Sequence, residues 1–176
     1  MTDSIPAGGG DIPWGPAPPA TVPPGLESFP VLVTLPVQWG EQDGFGHVNN
    51  VVFFRWFETS RIAYCTRVGL YGQEDGQWSG GGSGPVQADL ILAATNCDYR
   101  SPVVFPDTVV VGARTSRIGN SSFTMEHVVY SMAQQRIAAE GNATAVYFDY
   151  AENRPKRLPD DIRQQIEALE GRPLSD

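Results

Sequence analysis

Residues 39–50 hold Glu41, Asp43, His47, Asn49 and Asn50 among three glycines, Gly40, Gly44 and Gly46. Carboxylates, an imidazole and two carboxamides this close together can attack or activate water, polarise a carbonyl and hold an oxyanion. Upstream, residues 31–39 are β-branched and apolar and read as a strand. Downstream, residues 51–68 carry helical periodicity. The turn between them therefore delivers its polar groups to a helix N-terminus, where unpaired backbone N–H groups and the dipole favour negative charge. Ordinary turn chemistry explains the same residue types, with Asn49 or Asn50 as N-cap and the glycines supplying positive φ.

The elements that position this turn follow from pattern. Phe53, Trp56, Phe57, Ser60, Ala63, Tyr64 and Val68 form one stripe along the helix, whose plain role is core. Asn50 is a fair N-cap and Gly69 a fair residue just past the end. Residues 79–85 are Gly- and Ser-rich and read as a flexible loop. They lack the lysine and spacing of a phosphate loop. Strands are expected at 86–99, 108–117, 122–132 and 136–150, with turns at Gly119-Asn120 and Gln134-Gln135. A short amphipathic helix is expected at 159–169. The order is β-α-β-β-β-β-α, an α+β chain in which about five antiparallel strands meet one long aromatic helix.

The motif Asp43-x-x-Gly46-His47-Val48-Asn49-Asn50, followed by Phe53-Phe54-x-Trp56-Phe57-Glu58-x-x-Arg61, resembles the start of a hotdog-fold acyl-CoA thioesterase of the 4-hydroxybenzoyl-CoA thioesterase-like family. Asp98-Tyr99-Arg100-Ser101-Pro102 with Phe105-Pro106-Asp107, then residues 118–123, Arg154-Pro155 and Leu158-Pro159, continue the likeness over roughly residues 31–170. The resemblance implies a hotdog fold, a sheet wrapped around the long helix. It also implies a homodimer or dimer of dimers with sites at the interface, and hydrolysis of a coenzyme A or acyl-carrier thioester. Asp43 would be nucleophile or general base, and the Asn50 and Val51 N–H groups oxyanion donors. Asn49 and Asn50 would orient water or the acyl group. His47 would polarise the carbonyl or buttress the turn.

Arg100, Arg114, Arg117, Lys156 and Arg157 are candidates for coenzyme A phosphates by charge alone, and each is equally explained as solvated surface. Ser121 and Ser122 are candidates for pantetheine or phosphate. His127, in the middle of a strand, reads as structural. No cofactor or metal is implied beyond the thioester substrate. A serine hydrolase would want G-x-S-x-G, which Gly119-Asn120-Ser121-Ser122-Phe123 breaks. A non-catalytic hotdog module that binds acyl groups or assembles partners is the remaining rival.

Composition bounds the rest. The 176 residues suffice for one domain with a sizeable core. A net charge of −8 argues against nucleic acid or an anionic membrane as a general partner. No apolar run approaches a membrane span. Cys65 and Cys97 form neither a disulfide framework nor a metal spacing, so both are expected as buried free thiols of a cytoplasmic protein. Residues 1–30, rich in proline and glycine, are expected to be a disordered or draped tail before a domain over 31–176. They show neither the basic and apolar runs of a signal peptide nor the arginines of a transit sequence.

Overall fold

A stripe of aromatic side chains needs a broad apolar surface, and a curled sheet supplies it. The computed structural model describes residues 16–74, 77–80 and 90–174. Strand β1 (Val31–Pro36) leads through a short 3-10 turn (Trp39–Glu41) to helix α1 (Asn50–Arg67). A hairpin of β2 (Tyr71–Glu74) and β3 (Gln77–Gly80) follows, then β4 (Leu90–Tyr99), β5 (Thr108–Ile118), β6 (Ser122–Ser131) and β7 (Arg136–Asp149). The two-residue β8 (Arg154–Pro155) and helix α2 (Asp160–Glu170) complete the chain. The main sheet runs β1-β5-β6-β7-β4, with β8 added to β7, and its pairings are antiparallel.

Strand alternation divides the core into two faces. Val109, Val111 and Ala113 of β5 and Phe123, Met125 and Val129 of β6 meet Phe53, Trp56, Phe57, Ala63 and Tyr64 of α1. The whole expected stripe is buried, from Phe53 to Val68. Gly141 on β7 makes room for it: a Cβ there would come within 2.6 Å of the Phe57 ring. The Tyr64 hydroxyl donates to the Glu170 carboxylate at 2.7 Å, and the Thr115 N–H donates to the same oxygen at 2.6 Å. Those bonds lock α2 across α1 and β5. Desolvation holds the Glu170 pKa above the ordinary carboxylate value.

The outer face carries a second cluster, Leu26, Val110, Val128 and Tyr130, with Phe29, Leu32 and Ile137 against it. Residues 16–30 therefore lie along the sheet as a strap rather than hanging free. Leu26 is fully buried, a burial worth about 1.5–3 kcal/mol. Arg114 stacks its guanidinium 4.7 Å over the Phe29 ring, donates to Ser28 Oγ at 2.7 Å and pairs with Glu126. Gly112 is the seat of Phe29, since a Cβ there would sit 2.9 Å from the ring. Thr34 N–H of β1 donates to Ala17 O at 3.2 Å.

Two expectations need adjustment. Ser79 and Gly80 belong to β3, so the flexible-loop reading starts too early, and residues 81–85 lie outside the described residues. The same holds for residues 86–89 of the expected strand and for the start of the tail, residues 1–15. Cys65 is buried, with burial pushing its thiol up to about 12, but Cys97 on edge strand β4 is only half-buried.

Candidate active site

Asp43, His47 and Asn50 line one cleft of about 330 Å³, with Val48, Phe53, Tyr99 and Pro102 supplying apolar wall. Arg100 and Ser101 also line it. The cleft forms where the turn after β1 runs beside the segment after β4. Val48 N–H donates to Val103 O at 2.7 Å, and Phe105 N–H to Gln42 Oε1 at 3.0 Å. Within the turn, Asp43 N–H donates to His47 O at 2.9 Å and Asn49 N–H to Glu41 O at 2.8 Å. Gly46 adopts φ 79°, the left-handed conformation that the turn requires and a glycine takes without strain.

The Asp43 Oδ1 accepts the Phe45 N–H at 2.8 Å, so the carboxylate is held in its own turn and half-buried at the cleft. Glu41 has another task. Its carboxylate accepts the Gln38 N–H at 2.8 Å and closes a capping box on the 3-10 turn. His47 lines the cleft and is exposed.

The helix N-terminus corrects one assignment. Asn49, not Asn50, is the N-cap, and its side-chain oxygen accepts the Val51 N–H at 3.0 Å. That donor is already satisfied, and Val51 itself is exposed rather than part of the cleft wall. Val52 N–H is also engaged, by Asn49 O at 2.9 Å. The Asn50 N–H has no partner among the described residues and is available at the cleft as a backbone donor.

Of the cationic candidates, Arg100 alone lines the cleft, and it donates to Glu140 at 3.2 Å. Arg114 is committed to the strap, Arg157 pairs with Asp160, and Lys156 sits 4.6 Å over the Tyr147 ring. Arg117, Ser121 and Ser122 are not brought to the cleft within one protomer. Tyr99 stands opposite Ala139 on β7 and Ser122 opposite Val146. At about 3.3 Å per residue, those seven positions put the hairpin roughly 23 Å away along the sheet. There Arg163 of α2 donates to Gly119 O and Asn120 O, giving the hairpin a structural anchor.

His127 is structural, as its place in a strand implies. It is 2% exposed, stacked 5.0 Å from the Phe57 ring, with Nδ1 3.0 Å from Ser60 Oγ. The Ser60 hydroxyl donates its one proton to Phe57 O, so its oxygen accepts from His127 Nδ1–H and Nε2 remains bare. Burial first, then the nearby Arg61 charge, drives the imidazole pKa down to about 3.

Tyr99 and Phe53 are the site residues that sequence reasoning left without a role. Tyr99 OH donates to Asn50 O at 2.9 Å, and its ring meets Phe53 edge-to-face at 5.1 Å. Burial pushes the phenol up to about 12, so it stays a donor throughout the neutral range. A tyrosine ending a strand beside a helix start was the available signal. Among the described residues no group of three or more His, Cys, Asp or Glu side chains is arranged for a metal, and no helix is long and apolar enough to cross a membrane.

The chain belongs to the thioesterase-like superfamily, whose model matches residues 37–166. The sheet wrapped around α1 is the hotdog fold of its structural neighbours. A thioesterase from Thermus thermophilus, solved with coenzyme A and Zn, is 36% identical with a TM-score of 0.69, over 84% of this chain and 99% of that one. The acyl-acyl carrier protein thioesterase ATL3 of Arabidopsis thaliana chloroplasts is 28% identical over 76% of this chain. The Bacillus subtilis protein YsmA is 29% identical over 57% of it. The matches span 66% and 61% of the lengths of those two curated relatives.

Proposed function

We propose that the protein hydrolyses an acyl thioester to a free acid and a thiol, with Asp43 as nucleophile or general base. The observation that carries this is the convergence of the Asp43 carboxylate and the unpartnered Asn50 N–H at one cleft with an apolar wall. As nucleophile, Asp43 adds to the carbonyl carbon, the C–S bond breaks, and water then hydrolyses the mixed anhydride. As base, it takes a proton from the water that adds. In either case the oxyanion sits at Asn50 N–H on the dipole of α1. A thiol of pKa about 8.5 leaves as thiolate, so a strong general acid matters little.

The carrier is coenzyme A in this reading, supported by Arg100 at the cleft and by the coenzyme A in the Thermus structure. An acyl-carrier protein is the alternative, as in the name of the Arabidopsis relative. We also propose a homodimer joined along β4, whose outer edge has no strand partner among the described residues. No cofactor is needed for this chemistry.

Release of free thiol from acyl-CoA and acyl-carrier thioesters is the direct test. Asp43→Asn keeps the turn's hydrogen-bond geometry and removes the charge, so kcat should fall at least about a hundredfold with little change in binding. Parent-like turnover by that variant would end the mechanism. A rival reading has one contact in its favour: Asp43 already serves its own turn through Phe45 N–H. Acyl-CoA binding without any thiol release would make the protein a non-catalytic acyl-binding module.

A further inference from the structure

We infer that the Phe53–Tyr99 pair closes the acyl end of the cleft and restricts the substrate to a compact acyl group, a short aliphatic chain or a single ring. This rests on the thioesterase reading of the site. Asn50 and Phe53 are three residues apart on α1, on one face and about 4.5 Å apart along its axis. A carbonyl held at Asn50 N–H thus lies within one helical turn of the Phe53 side chain in the same cleft, and acyl carbons that run along the helix meet that ring.

That ring does not yield. Phe53 is 2% exposed, with the buried Trp56 ring 4.9 Å behind it. Beyond them Phe57 fills the seat over Gly141. The stripe that makes the core thus blocks the path an extended chain would follow between helix and sheet. Tyr99 closes the other side. Its ring stands at 90° to Phe53, and its hydroxyl is tied to Asn50 O, so both ends of the side chain are held.

Volume agrees. About 330 Å³ is at the small end for a ligand site. Each further methylene left in water forgoes a gain of about fourfold in affinity.

The test is thiol release by the full chain on straight-chain acyl-CoAs from acetyl to palmitoyl, with benzoyl-CoA. kcat/KM should peak at a short straight chain or at benzoyl-CoA and fall at least about tenfold by palmitoyl. Tyr99 is 46% exposed, so Tyr99→Ala should fold, and it should raise the decanoyl-to-butyryl ratio at least about tenfold. Phe53→Leu should move the ratio the same way, each variant being checked by thermal melting. Palmitoyl-CoA hydrolysed as well as butyryl-CoA by the parent would overturn the inference, as would an unshifted profile in both folded variants. If no acyl-CoA releases thiol, the catalytic reading falls by itself, and calorimetric titration of the same series decides the floor. Affinity that stops rising, or falls, from butyryl to palmitoyl upholds it; affinity that rises with each added methylene through to palmitoyl ends it.

Discussion

The Asn49 side-chain oxygen lies 3.0 Å from the Val51 amide nitrogen, and this one contact decides which backbone donor of α1 can serve the cleft. It also caps the helix. Asn49→Ala should cost about 1 kcal/mol, or roughly 2–4 °C in Tm for a domain of this size. Asn49→Asp should retain the cap and the stability. Urea unfolding of both variants checks the pair, and an unchanged midpoint in Asn49→Ala would show that the cap contributes nothing.

Glu41 and His47 lie beside Asp43 but are expected to matter in different ways. Glu41→Gln should leave kcat within about tenfold, because the capping contact to Gln38 survives without the charge. His47→Gln should also stay within about tenfold of the parent if the imidazole only supports the turn. A larger loss confined to kcat would make His47 the group that polarises the carbonyl. Steady-state kinetics on both variants separates these outcomes.

His127 makes stability depend on acid. Its folded pKa of about 3 lies below the ordinary value of 6.5, so the unfolded chain binds the proton first. The stabilising contribution is complete above pH 6.5 and is lost as pH falls through the window toward 3. Within that window each pH unit costs about 1.4 kcal/mol from this group. His127→Gln, which keeps a polar partner for Ser60, should flatten the slope of stability against pH even if the variant is weaker throughout. An unaltered slope would place the acid sensitivity elsewhere.

The strap implies that the tail over residues 1–30 is not dispensable as a whole. Deleting residues 1–27 would take away Leu26 and uncover Val110, Val128 and Tyr130. Leu26→Ala alone should cost about 2–5 kcal/mol, and the deletion at least as much. Removing only residues 1–15 should leave the Leu26 contacts in place. Thermal melts of the three proteins distinguish a strap from a dispensable tail. Parent-like melting without residues 1–27 would reject the strap's role.

Much of this was legible in the residues. The stripe from Phe53 to Val68 repeats at helical spacing, and burial follows directly from that repeat. The strands from Thr108 onward are long β-branched and apolar runs bounded by turn residues, so their ends fall within a residue or so of expectation. The β2–β3 hairpin did not show, because residues 71–80 hold glycine and glutamine without a sustained alternation of apolar side chains. Leu26 did not show either: a lone leucine among prolines has no period, and its partners lie on strands about a hundred residues away. At the site, Asp43, His47 and Asn50 converge because they share one turn. Ser121, Ser122 and Arg117 do not, because β4 pairs antiparallel with β7 and carries Tyr99 to the opposite end of the sheet. The choice between Asn49 and Asn50 as cap is one residue wide, finer than composition can resolve.

The sheet treats its two borders differently, and this sets how far strand addition can go. Along β1, the strap occupies backbone bonding capacity through Ala17 O and Thr34 N–H. Along β4, the outer backbone groups meet no strand among the described residues. A sheet bare on both sides can recruit copies without limit, the geometry of a growing fibre. With one border guarded, a second molecule joining β4 to β4 in antiparallel fashion uses the open border of both partners at once. Such a pair, if it forms as proposed, would terminate itself, and loss of the strap would leave the β1 border open to further strand addition.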